Sequence, residues 1–246
     1  MSLVNIIKLS ATPSTNTYLK DLAKTCSLKD FTVVVAARQT KGRGQFGAQW
    51  QSQPNNSLTL SVFKRFSAVE VSQQWYISMA VSMAVSEMLK SLKIPEITIK
   101  WPNDIMSRGK KCCGILIENT VKGTLLDTSI IGIGLNVNEN QFTDLPNATS
   151  MKLSHGNSFD VSQVCRLLLD HLQGQLIRLE NLEYEYIYNA YNLQLFRLDT
   201  VTVFKTIGGS PFNAILKGVT REGLLLLENE ANQINTYHLK EIVYCF

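Results

Sequence analysis

The chain has 246 residues, enough for one large domain or a main domain with a small companion. Hydrophobic residues make up 45 % and charged residues 18 %, a globular balance with no repeat or low-complexity tract. The net charge of +4 is small and scattered, without a basic run, so it gives no ground for nucleic-acid binding.

The N-terminal stretch MSLVNIIKLSATPST carries one lysine and a short apolar patch, without a signal-peptide core or cleavage site. No apolar run reaches the roughly 18 residues that a membrane-spanning helix needs. Five cysteines with no C-x-x-C pair fit a reducing, cytoplasmic setting. The adjacent Cys112 and Cys113 read as small buried hydrophobes rather than a redox pair.

Residues 12–16, TPSTN, look like a helix start, with Ser14 or Thr15 as cap and helical apolar spacing through YLKDLAKTC. FTVVVAA at 31–37 predicts a buried strand. SLTLSVF at 57–63 alternates Leu58, Leu60 and Val62 and predicts a half-buried one. Residues 69–92 predict a long helix with Ile77, Ala80, Ala84 and Met88 on one face. EITIKW at 96–101 is a strand stopped by Pro102, and residues 112–119 and 128–138 are two more, with a turn near Lys122 and Gly123. Residues 142–159 read as a polar loop. Residues 161–179 are a strongly amphipathic helix, and a second helix follows in NLEYEYIYNAYNL. After Asn192, four short strands separated by turns predict a small all-β barrel. The expected division is a catalytic domain at 1–192 and a β domain at 193–246.

GRGQFG at 42–47 has the G-x-G-x-x-G spacing of a dinucleotide-binding loop. That loop needs a helix directly after it, to set a helix N-terminus under the pyrophosphate. Here AQWQSQPNNS follows, with Pro54 and no amphipathic pattern, and it runs into a strand that ends in Lys64-Arg65 rather than an acidic residue. A P-loop is absent too. What remains is a glycine loop between strands that carries Arg43. It is either an ordinary connection or a device that brings backbone N–H groups and a guanidinium to an anion.

Three further segments bear on this choice. Pro102 in KWPND fixes the backbone, so Asn103 and Asp104 are displayed at a strand end, where an isolated Asp is usually a turn former. Lys111 enters an apolar strand that contains Gly114, and GIGLNVN at 132–138 puts two glycines in a strand. Strand glycines weaken a sheet, which makes sense where a ligand lies against it. His155, His171 and His238 show no metal spacing and no triad context.

Q-T-x-G-R-G-x-x-G-x-x-W at 39–50, KWPNDI at 100–105, KxxGILIE at 111–118 and GIGLNVN at 132–138, in this order, resemble the biotin protein ligases. STN at 14–16 is similar to that family's N-terminal serine-threonine element. The resemblance spans about residues 10–140 by motif and continues through the β domain by pattern. It implies an α/β (α+β) catalytic domain with a mixed sheet, the class II synthetase-like fold of biotin ligases, followed by an SH3-like barrel. It also implies the reaction. Biotin and ATP, accompanied by Mg²⁺, give biotinyl-5′-AMP. Biotin then passes to one lysine of a biotin carboxyl carrier protein, usually that of acetyl-CoA carboxylase.

Carried over by motif, Lys111 meets the biotin carboxylate and the α-phosphate. Arg43 and the backbone of Gly42 and Gly44 hold carboxylate and phosphates. Ser14, Thr15 and Gln39, with Asn16 beside them, bond the ureido ring, and Gly114 with Gly134 leave room for the bicycle. Trp50 resembles the aromatic that packs on adenine. Asn103 and Asn136 bind phosphate, ribose or the metal's hydration shell, Gln45 lies on the nucleotide side, and Asp104 steers or deprotonates the acceptor lysine. No protein-held metal is expected. The bland readings are a helix cap for Ser14 and Thr15, a core aromatic for Trp50 and a solvated side chain for Arg43.

Some members carry an N-terminal winged helix-turn-helix and repress genes. The motifs here begin near residue 10, so sequence-specific DNA binding is not expected. Monomers and homodimers both occur in the family. The rivals are a lipoate or octanoate ligase or transferase of the same fold, which carries different signatures, and a non-catalytic biotin sensor. Against the sensor, binding neutral biotin rings needs neither Lys111 nor Arg43. Gln45 stands where many members have a second arginine, and one positive charge fewer predicts a weaker grip on the adenylate. Gln45→Arg is therefore expected to slow release of biotinyl-AMP, read as an off-rate; equal rates in the two proteins would refute this.

Overall fold

The computed structural model describes residues 5–143 and 145–245. Residues 1–4, the start of the N-terminal patch, residue 144 in the polar loop and residue 246 lie outside the described residues. The main sheet holds β1 (Ile6–Leu9), β2 (Thr32–Ala36), β3 (Ser57–Arg65), β4 (Ile97–Lys100), β5 (Asp104–Ser107), β6 (Lys110–Lys122) and β7 (Leu125–Asn136). Its spatial order is β1-β2-β3-β7-β6-β5-β4. Only the β1–β2 pair is parallel, so this is the mixed sheet that the motifs led one to expect.

Helices cover both faces. α2 (Trp75–Ser91) lies on one face, with α4 (Val161–Glu180) and α5 (Tyr184–Asn192) packed against it. α1 (Thr15–Thr25) lies on the other, against β3 and β7. The alternation in β3 follows from this. Leu58, Leu60 and Val62 face the main core under α2, while Phe63 joins Leu19, Leu28, Val34 and Ile130 under α1. The polar partners Ser57, Thr59 and Ser61 are as buried as the apolar ones. The strand is thus buried on both faces rather than half-buried, because its polar residues meet α1 and its neighbours instead of water.

The 69–92 segment also differs from expectation. A capping box between Glu70 and Gln73 closes a separate 3₁₀ turn at Val71–Gln73, and α2 starts only at Trp75. α2 is buried nearly all round because it sits between sheet and helices, so no single face stands out. Asp104 is not left at a free strand end: Trp101, Pro102 and Asn103 turn the chain from β4 into β5, where Asp104 pairs with Lys100 and Gly114. The 142–159 loop contains a short helix, α3 (Met151–His155), capped by Ser150 and closed by Gly156 at φ 94°. β1 was not anticipated.

The C-terminal sheet is antiparallel, built from β8 (Val201–Thr206), β9 (Pro211–Val219), β10 (Leu225–Glu228), β11 (Ile234–Tyr237) and β12 (Ile242–Tyr244) in the order β11-β10-β9-β8-β12. It is consistent with an SH3-like domain, with β12 as a fifth strand beyond the four expected. Two tryptophans of the main domain hold it. The Trp101 indole N–H donates to Gly223 O at 3.0 Å, and the Trp75 ring lies against the Gly223 Cα. Backbone bonds between Ile99 and both Gln194 and Phe196 fasten the linker to the sheet edge.

Gly223 has φ 88°, and a Cβ there would come within 2.2 Å of the Trp75 ring. Gly223→Ala combines backbone strain with a clash, so it is expected to lower unfolding stability by about 2 kcal/mol or more. Denaturant melts of both proteins measure it; an unchanged midpoint and slope would contradict the packing described.

Candidate active site

The site begins with one irregularity in the sheet. Between β5 and β6 the pairing passes from Ile105↔Cys113 to Met106↔Lys111, leaving Cys112 as the extra residue of a bulge. In a regular strand, positions 111 and 114 face opposite ways. The bulge turns Lys111 onto the face of Gly114, where a Cβ would lie 3.3 Å from the Lys111 ammonium. Backbone bonds from Lys111 N to Asn147 O (2.7 Å) and from Thr149 N to Lys111 O (2.8 Å) fix its main chain. The Lys111 Nζ sits 2.6 Å from Asp104 Oδ1. Cys112 and Cys113 are fully buried, and burial pushes the Cys112 thiol up to about 12 and raises that of Cys113.

Two cavities meet at this pair. The first, about 310 Å³, is lined by the start of α1 (Ser14, Thr15, Asn16), by Gln39 and Arg43, and by the strand glycines Gly114, Gly132 and Gly134. The second, about 550 Å³, is lined by Lys100, Asn136, Glu139 and residues 141–143 and 145–148. Both share Gln49, Trp50, Asp104 and Lys111. Trp50 therefore stands as a partition. A Cβ at Gly134 would be 2.4 Å from its indole and one at Gly114 3.2 Å, so these glycines let the ring lie flat on the sheet. The indole N–H is buried and has no partner.

The loop that carries Trp50 is a small hairpin. Arg43 bridges Gln49, Gly44 N donates to Ala48 O at 2.7 Å, and Trp50 N donates to Gly42 O at 3.0 Å. Gly42 must be a glycine because a Cβ would meet Trp50 O at 2.3 Å. Gly47 has φ 82°. The G-x-G-x-x-G spacing thus serves a tight turn between strands, with a single 3₁₀ turn at Gln45–Gly47 and no α-helix directly after it.

At the far end of the first cavity the polar groups are preset. Ser14 caps α1, accepting from Thr17 N. Gln39 Oε1 accepts from Thr15 N at 2.7 Å and from the Thr15 hydroxyl at 3.1 Å. The Ser61 hydroxyl lies 2.6 Å from Asn16 Oδ1 and 2.7 Å from the Thr15 hydroxyl. The Asn16 amide donates to Leu116 O and to Glu118 Oε2, and its Oδ1 fills the space a Cβ at Gly132 would take. Burial raises the Glu118 carboxyl, but the Asn16 hydrogen bond and the charges of Arg43 and Lys20 outweigh it and hold the group below the usual range. In the second cavity, burial lowers the Lys100 ammonium, with Asp104 opposing and Lys111 and Arg197 reinforcing the shift.

Residues 9–136 match the biotin/lipoate A/B protein ligase family, more than half of the chain. The chain belongs to that family. Among curated relatives, the bifunctional ligase/repressor BirA of Bacillus spizizenii is 30 % identical over 204 residues, and the match spans 81 % of this chain and 62 % of that protein. The biotin–[acetyl-CoA-carboxylase] ligase of Mycobacterium tuberculosis is 28 % identical over 223 residues, covering 89 % of this chain and 82 % of that one. Among solved structures, the Aquifex aeolicus biotin protein ligase in complex with biotin and ATP superposes with a TM-score of 0.81 at 26 % identity, covering 98 % of each chain.

In this member of the ligase family, Ser14, Thr15, Asn16, Gln39, Arg43, Gly44, Gln45, Trp50, Asn103, Asp104, Lys111, Gly114 and Gly134 all line the first cavity. Gly42 lies behind it in the hairpin, and Asn136 lines the second cavity. Two asparagines are engaged by the fold: Asn103 donates to Ile115 O at 2.8 Å and Asn136 to Thr149 O at 2.9 Å. The room over Gly114 and Gly134 is held by Trp50. Sequence reasoning missed Glu139, a buried carboxylate on the second cavity that accepts from Gln53 N and the Ser57 hydroxyl. It also missed the C-terminal wall. Leu239, Lys240, Ile242 and Val243 line the first cavity, and the Lys240 ammonium stands 4.6 Å from the centre of the Phe46 ring. No short-range signal marked these residues, because the fold alone brings them to the site.

Proposed function

We propose that the protein is an ATP-dependent biotin protein ligase, and the observation that carries this reading is the pair of cavities meeting at Lys111. An acid with a neutral bicyclic head and an anionic carboxylate suits the first cavity, whose lining offers the hydroxyl and amide groups of Ser14, Thr15, Asn16 and Gln39 together with the cations Arg43 and Lys111. A nucleotide suits the larger one. The two ligands then bring carboxylate and α-phosphate together at one ammonium.

Charge crowding between these two anions is the barrier. A carboxylate oxygen attacks the α-phosphorus, the bond to the β-phosphate oxygen breaks, and pyrophosphate leaves. Lys111 lies where negative charge gathers, and the Arg43 side chain lines the same cavity. As anions arrive, they attract Lys111 and repel Asp104. The carboxylate of Asp104 is then free to steer the acceptor's lysine amine or take its proton, directly or through water. The amine attacks the acyl carbonyl and AMP departs. Asn136 would approach the nucleotide through its carbonyl oxygen, whereas Asn103 and Gln45, expected on the nucleotide side, line the acid cavity and would meet the nucleotide only where the two cavities join. Mg²⁺ enters as part of the nucleotide substrate. Glu139 and Asp104 suit its hydration shell, but no group of three metal-binding side chains exists among the described residues, so the triphosphate would supply the main ligands.

The acceptor in this reading is a biotin carboxyl carrier domain with an exposed lysine. No helix among the described residues is long and apolar enough to cross a membrane.

Purified protein with ATP and Mg²⁺ is given biotin, lipoate or octanoate in parallel, with pyrophosphate release and acyl-AMP mass as readouts. Biotin-dependent biotinyl-AMP is expected, and Lys111→Gln should lower its rate by about 10²–10³-fold, the scale for removing a charge stabiliser. An adenylate with lipoate or octanoate alone would move the protein to the sister activity. No adenylate with any acid, despite biotin binding, would make it a sensor.

A further inference from the structure

Arg43 lies in the glycine hairpin, yet its guanidinium is already engaged. Nη2 donates to Glu118 Oε1 at 3.2 Å and Nη1 to the Thr17 hydroxyl at 3.3 Å. Glu118 is carried on β6 and does not line the first cavity. Its position is strongly determined. Its other oxygen accepts from the Asn16 amide at 3.0 Å, and Asn16 is buried and locked against Gly132. Lys20 from α1 stands 3.6 Å from Oε1. One carboxylate thus ties together the hairpin, the first turns of α1 and the sheet.

The hairpin's other side-chain ties are the Trp50 ring against Gly114 and Gly134 at its base and the Lys240 ammonium over Phe46 at its tip. Its own bonds are local, between residues 42 and 50, and Phe46 at its tip is 61 % exposed. Its three glycines, Gly42, Gly44 and Gly47, make ordering entropically costly. A charge-assisted contact to a rigid partner offsets that cost.

We propose that Glu118 is a positioning residue: through Arg43 it latches the glycine hairpin over the acid cavity and so sets how long the acyl-adenylate stays bound. The proposal rests on the ligase reading for its second half. Its first half, the latch, concerns the protein without ligand. Glu118 touches neither acid nor nucleotide in this scheme. Loss of its charge therefore leaves the chemistry at Lys111 intact and loosens the cover.

Glu118→Gln keeps the size of the side chain and can still accept from Asn16. Hydrogen exchange of the ligand-free proteins reads the latch directly. Amides of residues 42–50 should exchange about 5- to 10-fold faster in the variant, the scale of weakening one partly exposed charge-assisted bond, while β6 and β7 are unchanged. Equal exchange in the hairpin would overturn the latch whatever the enzyme does. Faster exchange spread evenly through β6 and β7 would overturn it too, as general destabilisation. In turnover experiments the variant should raise the KM for biotin and release biotinyl-AMP about 5- to 10-fold faster, with kcat of adenylation nearly unchanged. A loss of kcat at constant KM would overturn the positioning role. Should the wild-type protein form no adenylate, the ligase reading fails by itself, and the exchange experiment still decides on the latch.

Discussion

Everything at the site is arranged around one ammonium group, Lys111, held 2.6 Å from Asp104 where the two cavities join. The pair is only partly shielded: the Lys111 side chain is 38 % exposed and that of Asp104 17 %. Such a pair is a poor source of stability, because solvent screens it and the partners lose freedom. Its worth is positional. The main chain of Lys111 is fixed by a bulge at Cys112 and by strand-like bonds to the 147–149 segment, which aims the ammonium at the junction of the two cavities. Asp104 balances its charge.

Around this centre the fold removes atoms where a ligand or an aromatic ring must approach the sheet. Gly114 and Gly134 accept the flat side of Trp50, and Gly132 accepts Asn16. A side chain at Gly132 or Gly134 would lift the partner from the strand, and one at Gly114 would press on the ring and on Lys111. The C-terminal domain closes the first cavity from another side through Leu239, Lys240, Ile242 and Val243, and Trp75 and Trp101 keep it there by gripping Gly223. The Lys111–Asp104 pair and the packing of the small domain are therefore linked through the KWPND turn, since Trp101 and Asp104 belong to it.

The strands and helices of the main domain were legible because their patterns are local: the β-branched run at 31–37, the alternation at 57–63 and the helical spacing at 161–179 each read correctly as to type. Burial was less legible. Ser57, Thr59 and Ser61 look solvent-facing in sequence but are covered by α1 and its neighbours, a tertiary fact. The same holds for α2, whose apolar face could not be isolated because helices and sheet surround it. At the site, the motif residues near Lys111 could be named from their order along the chain. Glu139, Lys240 and the Arg43–Glu118 contact could not, because each depends on segments far apart in sequence meeting in space. The bulge at Cys112 was invisible for a different reason: it is a register shift between two strands, and neither strand alone carries its mark.

The central claim is that acid and nucleotide occupy separate cavities that meet at Lys111. A crystal structure of the complex with biotin and a non-hydrolysable ATP analogue tests it most directly. The expected result places the biotin carboxylate and the α-phosphate on either side of the Lys111 ammonium, each within about 3 Å, the spacing that reaction requires. The Trp50 indole should then have left the floor over Gly134. Both ligands in one cavity, or a carboxylate bound away from Lys111, would contradict the account.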